Sequence, residues 1–236
     1  MSAAPTRRSW TPLLSATALA LFILAAAAIV LLVVAADSGR RPSGVVAAQT
    51  RPVSAFTGVE LRGVGLISVR SGHARSVVVR ADRSVLDQVT TRVRGGVLVI
   101  GVEGHDRVPS DVRAVVSTPT VDRLTLSGSG ELDVTGARGE RLLVTLAGAG
   151  LIRADGTVRR LDVALDGVGD ARLGDLRSRA VTARIAGAGR IVVHPTRSLD
   201  AAIAGTGEVV YRGDPAQVRS SVTGVGTVSR SAGPSS

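Results

Sequence analysis

The sequence predicts an all-β fold, a solenoid of parallel strands with coils of about 19 residues, preceded by one N-terminal transmembrane helix. Three observations predict it. A Gly-x-Gly pair recurs at Gly128 and Gly130, Gly148 and Gly150, Gly167 and Gly169, Gly187 and Gly189, Gly205 and Gly207, and Gly224 and Gly226, in steps of 20, 19, 20, 18 and 19 residues. Apolar residues flank each pair at fixed offsets: Leu126, Leu146, Leu165, Ile185, Ile203 and Val222 before it, and Leu132, Ile152, Ala171, Ile191, Val209 and Val228 after it. Finally, the 24 residues from Leu13 to Ala36 carry no charge, which is enough to cross a bilayer as a helix.

Residues 1–12 read as the cytoplasmic N-terminus, because Arg7 and Arg8 stay inside. Residues 13–36 read as an uncleaved signal anchor, longer than the h-region of a cleaved signal. Val34-Ala35-Ala36 would suit signal peptidase, so cleavage near Ala36 and secretion stay open. "TRRSW" is similar to a twin-arginine signal, but the strongly apolar run behind it argues against that route. Everything after it is expected outside a single-pass cell membrane.

Residues 37–52, polar with two prolines, read as a linker or stalk. The repeat domain is set at 53–229 and a flexible tail at 230–236. A seventh glycine pair, Gly63 and Gly65, keeps the same offsets to Leu61 and Ile67. The step of 65 positions from Gly63 to Gly128 slightly exceeds three periods, and the stretch holds the Val-rich runs "SVVVR", "GVLVIG" and "RAVVS". They read as coils that lost the glycine mark, which makes about nine coils in all. Ala81–Val89 reads as a short helix.

A helical repeat is disfavoured, since two glycines per unit would cost each helix about 2 kcal/mol relative to alanine. With a period of two, the glycines fall on the inward face, where a sharp turn or a close approach of walls leaves no room for a Cβ. Outward positions around them are small: Ser127, Ala147, Asp166, Ala186, Ala204 and Thr223, and Ser129, Ala149, Val168, Ala188, Thr206 and Val225.

The exported part carries 27 arginines, no lysine and 19 acids, a net +8, which suits an anionic envelope polymer or surface. The arginines are spread along the chain and read mostly as solvated surface. Nucleic acid is excluded, because only Phe56 and Tyr211 could stack a base and no basic helix is in prospect. The absence of cysteine fits export and excludes a lipid-modified cysteine.

No metal, cofactor or catalytic residue is assigned. His73, His105 and His194 lack ligand spacing. Glu131, Leu151, Asp170, Arg190, Glu208 and Thr227 are expected to stack on successive coils. Glu131 and Asp170, about 10 Å apart if the coil spacing holds, give the separation of an inverting glycosidase, but Leu151 lies between them and no aromatic floor exists.

The segments "VSAFTGVELRGVGLISVRSG" and "SVVVRADRSVLDQVTTRVRGGVLVI", the serial "LSGSGEL", "LAGAGLI", "LDGVGDA", "IAGAGRI" and "IAGTGEV", and the ending "GTGEVVYRGDPAQVRSSVTGVGTV" resemble the head GIN domain family, described as "putative auto-transporter adhesin". The likeness covers about residues 53–229 and includes the turn at Tyr211, Gly213 and Pro215. It departs from the family where Ala or Val replaces Ser, and only Asp170 keeps the common aspartate. The resemblance implies a single-stranded right-handed parallel β-helix, adhesion and no catalytic site.

The function expected is a membrane-anchored, exported, non-enzymatic module for binding or scaffolding in the bacterial cell envelope. Its expected partner is an anionic polymer, a cell-surface glycan or an envelope protein. The alternative is the ectodomain of an envelope sensor, which would need a membrane partner because so little chain lies inside. A carbohydrate-active enzyme is third, tested by Asp170→Asn.

Overall fold

The computed structural model describes residues 45–102 and 112–231. The expected anchor at 13–36, His105 and residues 232–236 of the expected tail at 230–236 lie outside the described residues, while Arg230 is the last residue of a strand. Among the described residues no helix is long and apolar enough to cross a membrane.

Strands account for nearly all of the fold. They are β1 Val46–Thr50, β2 Gly58–Arg62, β3 Val64–Ser71, β4 Ser76–Asp82, β5 Val89–Arg94, β6 Val97–Val102, β7 Arg113–Thr118 and β8 Arg123–Leu126. The repeat region follows as β9 Ser129–Leu146, β10 Ala149–Leu165, β11 Val168–Ile185, β12 Ala188–Ile203, β13 Thr206–Tyr211, β14 Gln217–Val222 and β15 Val225–Arg230. Each of β9 to β12 bends around most of a coil and pairs in parallel with the next. The result is a β-solenoid of about five turns.

Alternation of apolar and polar residues builds the core. On β3 every second residue is buried, and on β9 Leu132, Val134, Leu142, Val144 and Leu146 point inward. Parallel register then aligns equivalent residues into ladders. One runs Leu61, Leu126, Leu146, Leu165, Ile185, Ile203, Val222. A second runs Ile67, Leu132, Ile152, Ala171, Ile191, Val209, Val228. Burying each large aliphatic side chain stabilises by roughly 1.5–3 kcal/mol.

Four expectations are corrected. The stretch between Gly63 and Gly128 is not three further coils. Gly65 pairs directly with Gly130, and Leu61 with Leu126, so β8 and β9 stack straight onto β2 and β3; of the intervening chain only β6 and β7 stack as a coil, in parallel on the far side of β2 and β3. Its Val-rich runs have the burial pattern of strands; β6 and β7 pair in parallel with β2 and β3, while β4 with β7 and β5 with β6 pair antiparallel. Between β5 and β6 the chain turns by a hairpin, with Gly95 and Gly96 at φ of +55° and +75°. Residues 46–50 of the supposed stalk form β1, an antiparallel edge strand against β4. Ala81–Val89 is mainly extended chain and turn, with only a 3₁₀ turn at Leu86–Gln88.

The fourth correction concerns the glycines, which the period of two places on the inward face. Only Gly65 is buried. Gly63, Gly128, Gly130, Gly148, Gly150, Gly167, Gly169, Gly187, Gly189, Gly205, Gly207, Gly224 and Gly226 are half-buried and lie outside the core. They form a corner. The N–H groups of Ala147 and Gly148 both donate to the Leu126 carbonyl at 2.9 Å, and the same forked pattern recurs on later coils.

The close approach is along the solenoid axis, coil upon coil. A Cβ on Gly167 would lie 1.9 Å from the carbonyl oxygen of Gly148, and one on Gly169 would lie 1.9 Å from that of Gly150. The second glycine of each later pair repeats the clash one coil further on: Gly189 against the carbonyl of Gly169, Gly207 against that of Gly189, and Gly226 against that of Gly207. The first glycines do the same, Gly187 on Gly167, Gly205 on Gly187 and Gly224 on Gly205. The missing side chains therefore make room for the backbone of the preceding coil, not for an opposite wall.

Candidate functional site

Each coil presents three features to solvent: the glycine corner, the outer face of the wall that follows it, and an opposite corner where the chain turns back. The glycine corner is edged by the small residues read from the sequence. Among them Val168 and Val225 are 62% and 71% exposed. Their size follows from the tight bend between stacked backbones.

The wall after the glycines carries two charged rows. The first places Glu131, Leu151, Asp170, Arg190, Glu208 and Thr227 on successive strands, the stack expected from the repeat. The second sets Ser68, Asp133, Arg153, Arg172 and Val192 beside it. Where the wall bends away, β11 carries extra residues relative to β12 between Leu173 and Arg177, and an open groove of about 620 Å³ forms. Its charged lining is Arg70, Asp133, Arg153, Asp155, Arg172, Asp175 and Arg212.

Most of these groove charges satisfy one another. Arg153 contacts both Glu131 and Asp133, Arg172 reaches Asp170 at 3.1 Å, and Arg212 reaches Asp175 at 3.0 Å. Asp155 accepts the N–H of Gly136 at 2.7 Å. Burial raises the carboxyl of Asp133 above its ordinary value. On the first row, hydrogen bonding from the Arg190 guanidinium holds Glu208 below the ordinary carboxylate value, against the opposing effect of burial. Glu131 and Asp170 are therefore each tied to an arginine, with Leu151 between them in register.

The turn of Tyr211, Gly213 and Pro215 carries Arg212, which lines this groove. Gly213 has φ of +87°, and a Cβ there would meet the ring of His194 at 3.1 Å. Nδ1 of His194 lies 3.2 Å from the Gly174 carbonyl, to which it donates. His73 and His194 join no metal-binding cluster among the described residues.

The opposite corner is where sequence reasoning missed a surface. Parallel register stacks Arg138, Thr157, Arg177 and His194 in one row, and Arg141, Arg160, Ala180 and Ser198 in another. Between these rows come Glu140, Arg159, Arg179 and Arg197. Seven exposed arginines, at 138, 141, 159, 160, 177, 179 and 197, thus meet on four successive coils with one acid, Glu140, among them.

Two are neutralised: Arg141 by Asp162 at 2.7 Å and Arg159 by Glu140 at 3.2 Å. Arg138, Arg160, Arg177, Arg179 and Arg197 have no carboxylate partner among the described residues. In the linear sequence these residues look dispersed. Their separations, 21 from Arg138 to Arg159, 20 from Arg159 to Arg179 and 18 from Arg179 to Arg197, are the coil period. Reading charge at that period would have found the ridge.

Comparison with known proteins bears on the same architecture. The family described as "Putative auto-transporter adhesin, head GIN domain" matches residues 55–215. No curated protein matches the chain. A crystal structure of a "putative adhesin" from Bacteroides fragilis is similar with a TM-score of 0.63 at 21% identity, covering 82% of this chain and 100% of its own. Another "putative adhesin", from Parabacteroides merdae, has a TM-score of 0.43 at 17% identity, covering 80% of this chain and 98% of its own. Since the family match spans well over half of its residues, the chain belongs to the head GIN domain family, the one so described.

Proposed function

We propose that this protein is an exported, adhesin-like binding module of the cell envelope, anchored by its N-terminal apolar run, whose arginine ridge engages an anionic envelope polymer. The observation that carries the proposal is the ridge: seven arginines and one acid on one corner of four coils. Guanidinium groups spread over four coils, about 4.8 Å from coil to coil, match a chain of repeated carboxylates or phosphates better than a single small anion. The groove suits that role less well, because three of its four arginines, Arg153, Arg172 and Arg212, are already occupied by Asp133, Asp170 and Asp175. Membership of a family described by adhesion supports a binding role, and the uncharged run Leu13–Ala36 supports anchoring.

The test uses residues 43–236, which form one compact unit. Binding to producing cells, foreign cells and isolated envelope polysaccharides is measured at low and high salt. Saturable binding to an anionic polymer, weakened by salt and lost when Arg138, Arg160 and Arg179 are changed to Ser, is the expected outcome. Binding that is indifferent to salt and to those changes would move the function away from the ridge.

A further inference from the structure

In each coil, the carbonyl of the last inward residue before the glycine corner accepts from the next coil. Leu61, Leu126, Leu146, Leu165, Ile185 and Ile203 all do so. Val222 holds the same ladder position on β14, and among the described residues no strand pairs beyond it. All six residues of β14 are exposed. Val218 and Val222 stand at 43% and 44%, whereas their ladder mates Leu199 and Ile203 stand at 2% and 1%. The core is open at this end. Because the N–H and C=O of one strand residue point the same way, Val218, Ser220 and Val222 all direct their backbone groups at the open edge.

We infer that this edge pairs with the same edge of a second copy, giving a two-fold dimer in which β14 runs antiparallel to its mate with Ser220 on the axis. That register sets Val218 opposite the second copy's Val222 and Ser220 opposite its own equivalent, so inward residues face inward residues. All three positions become hydrogen-bonded pairs, which satisfies the donors and acceptors at the edge and continues the apolar ladder across the axis. On the outer face, Arg219 lies opposite Ser221 of the second copy.

Stacking the open end on the other end of a neighbour is disfavoured by charge. It would set Arg219 near Arg92 and Arg94 of β5, and it would also propagate without closing. The pairing itself does not depend on the proposed function. If the ridge does bind a polymer, the dimer carries two ridges and gains avidity.

The chain contains no cysteine, which makes a single introduced one informative. In a hydrogen-bonded antiparallel pair the Cα atoms lie about 5.5 Å apart, within disulfide range. The full chain carrying Ser220→Cys, in detergent solution under mild oxidation, is expected to convert to a disulfide-linked species of twice the monomer mass across a wide range of dilution. Ser129→Cys, exposed on the glycine corner, is expected to stay monomeric. Adding Val222→Lys to Ser220→Cys should lower the dimer yield about tenfold, with thermal unfolding used to show that the fold persists. A Ser220→Cys chain that labels readily with maleimide yet stays monomeric would overturn the inference. So would an equal dimer yield from Ser129→Cys, or cross-linking of Ser220→Cys to a protein of another mass.

Discussion

At the scale of single residues, the paired glycines are a steric requirement of coil stacking. Gly169 shows two constraints at once: φ of +144°, which side-chain-bearing residues rarely adopt, and a Cβ position 1.9 Å from the Gly150 carbonyl oxygen. Gly167 shows the contact without a positive φ. Since the obstacle is backbone, no side chain can move aside. Gly167→Val and Gly169→Val should each destabilise by about 4 kcal/mol or more in denaturant unfolding. Gly72, at φ of +86° with open space where its Cβ would go, supplies the contrast. Gly72→Ala should cost only about 1–2 kcal/mol. The spacing and identity of the repeat glycines were legible in the sequence, from Gly63 to Gly226. Their direction was not, because a period of two assigns a side to each residue but cannot register a bend that turns the missing Cβ along the axis.

Glu208 gives a residue-scale statement about pH. Its folded-state value is held down, first by the hydrogen bond from Arg190, so its contribution is present above the ordinary carboxylate value and is lost as pH falls through the lowered one. Solvent screening keeps that contribution to at most about 0.5 kcal/mol. Glu208→Gln should therefore lower thermal stability slightly near neutrality and flatten its decline under acid conditions. An unchanged acid profile would show that the pair is energetically silent.

At the scale of elements, the decisive property is register. Parallel pairing in the repeat brings residues one period apart into contact, which explains why the inward ladders could be read from sequence and why the arginine ridge could be read only at the same period. The strands β4 to β7, which mix parallel and antiparallel pairing, were harder. Their Val alternation announced strands, but nothing in "SVVVR" or "RAVVS" distinguishes a coil from a hairpin, and pairing partners are fixed by tertiary packing.

On the ridge, like charges on adjacent coils repel by roughly 0.8 kcal/mol per nearest pair at 5 Å in water. Added salt should accordingly raise the melting temperature modestly. Changing Arg138, Arg160 and Arg179 together to Ser should leave stability equal or higher and remove most of the salt effect. A melting temperature that falls with these changes would mean the arginines pack structurally, through their aliphatic stems.

At the scale of the molecule, one wall stacks ten strands, from β1 through β15. With strands about 4.8 Å apart, that wall extends roughly 43 Å, although fewer coils contribute than the repeat count suggested. The architecture places its chemistry on corners and faces: small residues at one corner, mutually paired charges on the wall, and at the other corner seven arginines of which only Arg141 and Arg159 are paired. This division makes the ridge the surface with charge to offer a partner, and adhesion the reading that fits it.

The measurement that bears most directly on this account is calorimetric titration of residues 43–236 with a polycarboxylate such as polygalacturonate, at several salt concentrations, for the native sequence and for the triple variant Arg138→Ser, Arg160→Ser, Arg179→Ser. The account predicts that the native affinity falls steeply with salt, and that the variant binds at least about tenfold more weakly with a shallower salt dependence. Equal affinity and equal salt dependence for the two proteins would contradict it.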